Sequence, residues 1–220
     1  MELTTRENAI FASLLARYPV LASIEGELAA AYDLMRSRLI NGGKLLIAGN
    51  GGSAADSEHI AGELMKRFIL PRPVPAALTE RLAEIDPVLG PELAGALEGT
   101  IPAMALTGHV ALTTAYMNDV GAETAFSQQL YGFGRAGDVF LGITTSGNSG
   151  NILRAAVTAK ALDIAVVCLT GQSGGKMNAY ADVTVHAPAT ETFMIQEYHL
   201  PIYHCWCAML EAYFFGSEEK

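Results

Sequence analysis

The sequence predicts an α/β protein built on a doubly wound sheet with right-handed crossovers. Five short apolar runs alternate with stretches of helical periodicity along most of the chain, which is typical of strands covered on both faces in a parallel sheet. The length of 220 residues favours a single domain spanning 1–220. Half of the residues are hydrophobic and 17% are charged, a balance that can bury a core and that excludes a disordered chain.

Two amphipathic helices are predicted within residues 1–40, before the first strand, because apolar residues recur there at three- and four-residue intervals. Asn41, Gly42 and Gly43 end the second helix, since glycine supplies the left-handed conformation that often terminates helices. The first strand follows as a continuous apolar run. The predicted strands are 44–48, 103–106, 139–143, 164–169 and 183–185.

One segment interrupts the alternation of strands and helices. Residues 70–102 hold six of the nine prolines, and they predict a helical insertion at about 74–100 with proline-marked ends. A surface excursion without chemistry is one interpretation, because long loops tolerate insertion well. An active-site lid or an oligomer contact is the other. The chain then closes with a long helix at 192–215, in which Pro201 removes one backbone hydrogen bond and can bend the helix.

The charge balance excludes one class of partner. With 14 Lys and Arg against 23 Asp and Glu, the net charge is −9, so the basic surface that nucleic-acid binding requires is absent. The three cysteines are an odd number, and two of them, Cys205 and Cys207, are too close in sequence to bridge well. Charged residues interrupt the N-terminal segment, so we expect no signal peptide and no membrane span. We therefore expect a cytoplasmic protein without disulfides and without a membrane partner.

The first predicted strand runs into a glycine-rich loop formed by residues 49–53, Gly-Asn-Gly-Gly-Ser, and a helix follows directly. Glycines let the backbone approach a ligand closely, and the helix N-terminus favours an anion. The loop is neither a GxGxxG motif nor a Walker A loop, so it indicates neither a dinucleotide nor a nucleoside triphosphate. A tight turn with Ser53 as the helix N-cap is an equally good interpretation.

A second polar loop follows the third predicted strand. Residues 144–150 read Thr-Thr-Ser-Gly-Asn-Ser-Gly and hold four hydroxyl groups. They come at the carboxyl edge of the sheet, where open α/β folds bind ligands. A hydroxyl-rich loop without arginine at a helix start suits the phosphate ester of a small polar molecule. The alternative is that the loop only caps the helix. The presence of two such loops on the same edge of the sheet makes this alternative less favourable.

Two helices carry residues that could bind a metal or move a proton. His59 and Glu63 are four residues apart and project from one face of the helix after the glycine loop, although such a pair is usually a solvated face. At about 100° per residue, Glu197 lies closest in azimuth to His204 on the last helix, whereas Gln196 lies about 80° away. Helical spacing therefore does not decide which of them accompanies His204. The polar cluster of this helix comprises Gln196, Glu197, His199 and His204.

These motifs occur in an order that resembles the sugar isomerase (SIS) domain family and, within it, the phosphoheptose isomerase branch. The resemblance covers nearly the whole chain from Asn41 onward. It implies a five-stranded parallel sheet flanked by helices and a homotetramer with active sites at the subunit interfaces. The motifs are GNGGS at 49–53, His59, Glu63, Asn118 with Asp119, TTSGNSG at 144–150, LTG at 169–171, GGKM at 174–177 and IQEYH at 195–199.

The resemblance also implies an activity and a set of site residues. Members convert sedoheptulose 7-phosphate to D-glycero-D-manno-heptose 7-phosphate, a step towards activated heptoses. Matching motif positions make Glu63 the base and His204 the acid, and imply one zinc ion (Zn²⁺) per subunit bound by His59, Glu63, Gln196 and His204. The residues expected to bind the sugar-phosphate substrate are Asn50, Gly51, Gly52, Ser53, Asn118, Asp119, Thr144, Thr145, Ser146, Ser149 and Gln196.

Two other functions fit the same resemblance. The family includes non-catalytic proteins that bind the bacterial replication initiator and lack the Glu and the last His, which this chain retains as Glu63 and His204. A second alternative is an aldose–ketose isomerase for another sugar phosphate. The observation that suggests this alternative is the insertion at about 74–100, which is longer than the connection usual in phosphoheptose isomerases. Thr144 stands where relatives commonly carry serine, and it keeps the hydroxyl group.

Overall fold

The computed structural model describes residues 2–216. Their five strands form one parallel sheet in the order β2-β1-β3-β4-β5. The chain leaves β1 towards one edge of the sheet and then crosses back to β3 on the other side, so the order reverses at β1, as the doubly wound prediction requires. Predicted and observed strand ends differ by at most two residues. The strands are β1 (Leu45–Gly49), β2 (Ala103–Ala105), β3 (Val139–Ile143), β4 (Ala165–Gly171) and β5 (Val183–Ala187).

Two helices precede the sheet, as predicted: α1 (Thr5–Arg17) and α2 (Glu25–Ile40), joined by a 3-10 helix at Pro19–Ile24. A capping box begins α1, because Thr4 Oγ1 accepts from the Glu7 amide while the Glu7 carboxylate accepts from the Thr4 amide. The chain then passes Gly42, at a φ of 84°, on its way into β1.

Seven further helices follow within the described residues. The last helix has the predicted bounds and continues across Pro201, which is buried in it. Two short 3-10 helices, at Ala122–Thr124 and Gly175–Ala179, complete the connections. The helices are α3 (Gly52–Met65), α4 (Ala76–Ile85), α5 (Leu89–Ala96), α6 (Val110–Asp119), α7 (Ala125–Phe133), α8 (Gly150–Ala161) and α9 (Thr192–Phe215).

The sheet separates two apolar layers. Leu45 and Ile47 of β1 belong to the layer that also contains buried residues of α1, α2, α3 and α9. Leu46 and Ala48 belong to the opposite layer, with buried residues of α7 and α8. Burial on both faces explains why the strands are continuous apolar runs in the sequence. Within residues 2–216, no helix is long and apolar enough to cross a membrane.

The helical insertion predicted at about 74–100 consists of α4 and α5, which pack against each other. Gly90 is the buried residue of this pair, and a Cβ there would lie 2.2 Å from the Leu82 carbonyl oxygen, so glycine permits the close approach of the two helices. The two ends of the insertion meet in an antiparallel bridge between Pro73 and Glu98. Several apolar side chains remain exposed: Leu78, Ile85, Val88, Leu89, Leu93 and Leu97.

Candidate active site

The glycine loop turns sharply from β1 into α3. Gly51, at a φ of 56°, is the N-cap of α3, so the helix begins at Gly52. The alternative with Ser53 as the N-cap is therefore wrong, because the left-handed Gly51 starts the helix two residues earlier and leaves Ser53 buried in the first turn. A Cβ on Gly52 would lie 2.5 Å from Gln196 Nε2, so the loop and the start of α9 are in close contact. Asn50 and Gly51 are exposed.

The hydroxyl-rich loop connects β3 to α8. Thr144 Oγ1 and Ser149 Oγ share a hydrogen bond of 2.9 Å, and Ser146 Oγ accepts one from the Asn148 amide. The Thr145 carbonyl accepts a hydrogen bond of 2.9 Å from the Gly171 amide at the end of β4. Ser149 is the N-cap residue of α8 but makes no capping bond with its side chain. This argues against a loop that serves only as a cap.

The GGKM segment at 174–177 is hydrogen-bonded to the hydroxyl-rich loop. The Met177 amide donates to the Gly147 carbonyl at 3.1 Å, and the Lys176 amide donates to Asn148 Oδ1 at 3.1 Å. Gly147 has a φ of 65°, and a Cβ there would lie only 2.0 Å from the Gly174 carbonyl oxygen. The two loops are thus in backbone contact, and glycine is required where they meet.

The two predicted ligand loops meet at the carboxyl edge of the sheet. Asn50 and Asn151 exchange two amide hydrogen bonds, of 3.0 and 2.8 Å. They line a cleft of about 400 Å³, to which Gly51, Thr107 and Thr113 also contribute. The Thr107 hydroxyl is buried and has no hydrogen-bond partner among the described residues. Sequence reasoning missed Asn151 and both threonines, although Asn151 stands only two residues after Ser149.

Asn118 and Asp119 lie at the end of α6 with exposed side chains, and Asn118 Nδ2 donates to Asp119 Oδ1 at 2.9 Å. They directly follow Met117, which lines the cleft. The hydrogen bonds of the described residues do not join either side chain to the glycine loop or the hydroxyl-rich loop.

A second polar cluster lies where α3 packs against α9. His59 Nε2 lies 3.1 Å from Glu63 Oε1 and 3.5 Å from His204 Nε2, so His59 contacts both of the residues predicted to react. Lys66 Nζ donates to the other Glu63 oxygen at 3.0 Å. The Phe68 ring lies 5.5 Å from the His204 ring, between centroids. The structure therefore brings together three of the four predicted metal ligands.

Tyr203 connects this cluster to Asp56, and sequence reasoning missed both residues. Tyr203 Oη donates to Asp56 Oδ1 at 3.1 Å and lies 3.1 Å from His59 Nδ1. Burial raises the pKa of Tyr203, and the nearby Asp56 raises it further. Burial also raises the pKa of Asp56, against the effect of the Tyr203 hydrogen bond. Tyr203 stands in a largely apolar run, so nothing in the sequence distinguished it from a core residue.

His204 and Gln196 have different surroundings on α9. Burial lowers the pKa of His204 and the neighbouring His59 lowers it further, so the neutral imidazole is favoured. Gln196 lies against Gly52, and the hydrogen bonds of the described residues do not join it to the histidines. Glu197 is exposed. Packing against α3 therefore makes His59, rather than Glu197 or Gln196, the polar neighbour of His204.

Fold and site together define a class of protein: a doubly wound α/β protein with a polar cleft where the sheet order reverses, which is where such folds bind ligands. A family model described as the SIS domain matches residues 100–211. A phosphoheptose isomerase of Aneurinibacillus thermoaerophilus is 39% identical over 206 residues, which are 94% of this chain and 89% of that protein. One of Sulfurimonas denitrificans is 42% identical over 174 residues, 79% of this chain and 76% of that protein.

Solved structures agree with these relatives. The phosphoheptose isomerase of Neisseria gonorrhoeae is 34% identical with a TM-score of 0.70, over 94% of this chain and 97% of that one. The enzyme of Francisella tularensis is 33% identical with a TM-score of 0.72, over 92% of this chain and 95% of that one. The chain belongs to the SIS domain family and, within it, to the phosphoheptose isomerases.

Proposed function

We propose that this protein is an isomerase that converts sedoheptulose 7-phosphate to D-glycero-D-manno-heptose 7-phosphate through an enediol, for the biosynthesis of activated heptoses. The observation that carries the proposal is the contact of His59 with both Glu63 and His204 across the interface of α3 and α9. A non-catalytic member of the family has no need of this acid–base pair. The identity to phosphoheptose isomerases over most of the chain supports the substrate.

The hydroxyl-rich loop is proposed to bind the phosphate. The side chains of Thr144, Thr145, Ser146 and Ser149 offer hydroxyl groups beside the N-terminus of α8, where backbone N–H groups and the helix dipole favour an anion. Glycine at the start of α3 lets the sugar approach the backbone closely. The sugar hydroxyls are assigned to Asn50, Gly51, Gly52, Ser53, Asn118, Asp119 and Gln196.

Isomerisation requires a base that removes a proton from carbon and an acid that acts on the carbonyl oxygen. Glu63 is the proposed base, because its carboxylate lies at the α3–α9 interface with a side chain that is 13% exposed. His204 is the proposed acid. Its lowered pKa favours the neutral imidazole, whose one N–H, on the nitrogen that does not bind the metal, would donate a hydrogen bond to the carbonyl oxygen without carrying a full charge.

We also propose a zinc ion, held by His59, Glu63 and His204 with Gln196 as the expected fourth ligand. The separations of 3.1 and 3.5 Å around His59 are near the distance of about 3.3 Å between two ligands of a tetrahedral zinc ion. Among residues 2–216, however, no group of three or more His, Cys, Asp or Glu side chains is arranged as a ready metal site. When bound, zinc would polarise the substrate carbonyl and stabilise negative charge on its oxygen.

The hydrogen-bond direction at Tyr203 supports this metal site. Because the Tyr203 hydroxyl donates its hydrogen bond to Asp56, it accepts a hydrogen bond from His59 Nδ1. In the neutral imidazole this leaves His59 Nε2 as a bare lone pair facing the Glu63 carboxylate. Two such acceptors 3.1 Å apart repel each other unless a proton or a metal cation lies between them, and a histidine whose other nitrogen is hydrogen-bonded in this way is a typical zinc ligand.

The proposed assembly is a cytoplasmic homotetramer with active sites at subunit interfaces. Exposed apolar residues support it, since large exposed apolar areas commonly mark protein interfaces. Besides those of the insertion, α6 and its C-terminal end expose Val110, Leu112, Met117 and Val120.

The test is to incubate purified protein with zinc and sedoheptulose 7-phosphate, to follow the aldose product by NMR, and to measure bound metal by mass spectrometry. We expect conversion by a protein that carries zinc. Absence of conversion with every divalent metal would refute the isomerase. An active protein without metal would refute only the zinc site, and preference for a pentose or hexose phosphate would replace the substrate. A folded, inactive protein that still binds the sugar phosphate would support the non-catalytic alternative.

A further inference from the structure

A buried ion pair joins the helices that carry the proposed base and acid. The side chains of Arg72 and Glu211 are 0% and 1% exposed, and Arg72 Nε lies 2.8 Å from Glu211 Oε1. Arg72 stands at the base of the insertion, and Glu211 lies on α9 seven residues, or about two turns, after His204. Neither residue belongs to the proposed catalytic or substrate-binding set.

Arg72 caps the C-terminal end of α3. Its two terminal nitrogens donate to the Leu64 carbonyl at 2.7 Å and to the Glu63 carbonyl at 2.9 Å. The helix ends at Lys66 in an extended conformation, without the left-handed glycine that usually satisfies the last carbonyls. A cation at this end also interacts favourably with the helix dipole. The guanidinium group therefore holds the turn that carries Glu63.

Glu211 holds the segment that follows α3 against α9. Its carboxylate accepts hydrogen bonds from the backbone amides of Phe68 at 2.8 Å, Ile69 at 2.8 Å and Leu70 at 3.0 Å, besides the bond from Arg72. A buried carboxylate with four donors is fully compensated only in this arrangement. The end of α3 is thus tied to α9 through one pair of charges.

We propose that Arg72 and Glu211 are positioning residues of the isomerase: they set the separation between Glu63 on α3 and His204 on α9. This inference rests on the proposed function. Proton transfer needs groups within hydrogen-bond reach of the substrate, and a displacement of about 1 Å can cost about a hundredfold in rate. Gly52 lies at the opposite end of α3, about 16 Å from Glu63 along the axis, so the substrate contacts proposed there are far from the pair.

The chain offers a matched control in a second buried ion pair. Glu7 and Arg36 both have side chains that are 0% exposed and lie 2.8 Å apart, and they join α1 to α2. The hydrogen bonds of the described residues join neither of them to α3 or to a proposed site residue, and the contact of this pair with α9 is that of the Arg36 guanidinium, 5.3 Å from the ring centroid of Tyr213. Glu7→Gln and Glu211→Gln therefore make the same isosteric change at the same burial, and differ in whether the pair positions the site.

The experiment compares zinc-loaded wild type with Glu7→Gln, Glu211→Gln and Arg72→Lys. Thermal melting, kcat and KM are measured at a temperature where each protein is folded, and zinc affinity is measured by competition with a chromogenic chelator. We expect both Gln variants to melt lower than wild type. Glu211→Gln should lose about a hundredfold in kcat with KM little changed, and should bind zinc more weakly, whereas Glu7→Gln keeps the wild-type kcat and zinc affinity.

Arg72→Lys keeps the charge, but a single ammonium cannot satisfy the two carbonyls and the carboxylate together, so a smaller loss of kcat is expected. If Glu211→Gln does not fold, Arg72→Lys is the variant that tests the proposal. Wild-type kcat in the variants of the Arg72–Glu211 pair, or an equal loss in Glu7→Gln, would overturn the positioning role. If wild type itself does not isomerise the substrate, the proposed function fails. The positioning role is then tested by zinc affinity alone, and equal affinity in wild type and the three variants would overturn it.

Discussion

Glu63 stands in the last turn of α3 with Lys66 on one carboxylate oxygen and His59 on the other. Glu63→Gln keeps the size of the side chain but cannot take up a proton. We expect kcat to fall by about a thousandfold, within the range that general-base catalysis contributes, while the melting temperature changes little. Initial rates of heptose phosphate formation test this. Glu58→Gln, an exposed glutamate on the same helix, should remain fully active, and a Glu63→Gln variant with more than about a tenth of the wild-type rate would contradict the role.

Tyr203 determines which nitrogen of His59 faces the proposed metal. Tyr203→Phe removes the hydroxyl group between Asp56 and His59, so the imidazole loses the partner that fixes its tautomer. We expect zinc affinity to fall by about 10- to 100-fold, the usual effect of losing such an outer partner. Chelator competition measures it. Tyr198→Phe, on the same helix and away from these contacts, is the control, and an unchanged affinity in Tyr203→Phe would show that His59 is oriented by other means.

At the scale of elements, the hydroxyl-rich loop depends on its contact with the GGKM segment. Gly147→Ala adds a Cβ only 2.0 Å from the Gly174 carbonyl oxygen, so the loop must shift. We expect KM to rise about tenfold or more, the equivalent of one lost hydrogen bond to a charged group. Gly42→Ala is the matched control, because Gly42 also has a positive φ, of 84°, but has open space around it. Gly42→Ala should cost about 1 kcal/mol of stability with no change in KM. An equal rise of KM in both variants would mean that backbone strain, and not the contact of the two loops, causes the effect.

The insertion is an element whose removal the fold should tolerate. Of α4 and α5 only Gly90 is buried, and Pro73 and Glu98 already bring the two ends together. Replacement of residues 76–96 by a short Gly-Ser linker should therefore shift the melting temperature by less than about 4 °C, the equivalent of about 1 kcal/mol. Differential scanning calorimetry measures this. Failure to fold would contradict it, and a change in oligomeric mass by light scattering would identify the insertion as a subunit contact.

At the scale of the whole molecule, the Glu7 network makes stability depend on pH. Burial alone would raise the pKa of Glu7, but hydrogen bonds from Tyr32 and Thr4 and the charge of Arg36 lower it below its usual value. A carboxyl whose pKa is lower in the folded state stabilises the protein above its unfolded pKa of about 4.3, and this contribution disappears as the pH falls through the folded pKa.

Glu7→Gln should therefore be less stable than wild type at pH 7, by about 1.5 to 3 kcal/mol, because it removes the buried carboxylate from Arg36 Nη1 and leaves Asp33 as the charged partner of that guanidinium. The difference should narrow below about pH 4, where Glu7 itself becomes protonated. Urea unfolding of both proteins from pH 7 to pH 3 measures the difference between their free energies of unfolding. The other carboxyl groups contribute equally to both proteins, so their effect cancels in this difference. A gap that stays constant with pH would show that ionisation of Glu7 does not contribute.

Much of the architecture follows from local features of the chain. Apolar runs predict strands because both faces of the sheet are covered, and glycines mark the sharp turns where strands enter helices. The bounds of α9 agree with the prediction, since its apolar run is long and Pro201 is tolerated within it. The insertion was visible as a cluster of prolines. Ser53 was the exception, because the left-handed conformation of Gly51 moved the start of α3.

By itself, then, the sequence determined the strands of the sheet, the two polar loops that follow β1 and β3, and the resemblance that nominates Glu63 and His204. Only the tertiary structure decided the partners of those residues. The angle around a helix axis compares only positions within one helix, so it left Glu197 and Gln196 as candidate polar neighbours of His204. The packing of α3 on α9 instead brings His59 next to His204. Arg72 and Glu211 are 139 residues apart, and no periodicity relates them. They meet because burial of two charges is tolerated only where each compensates the other.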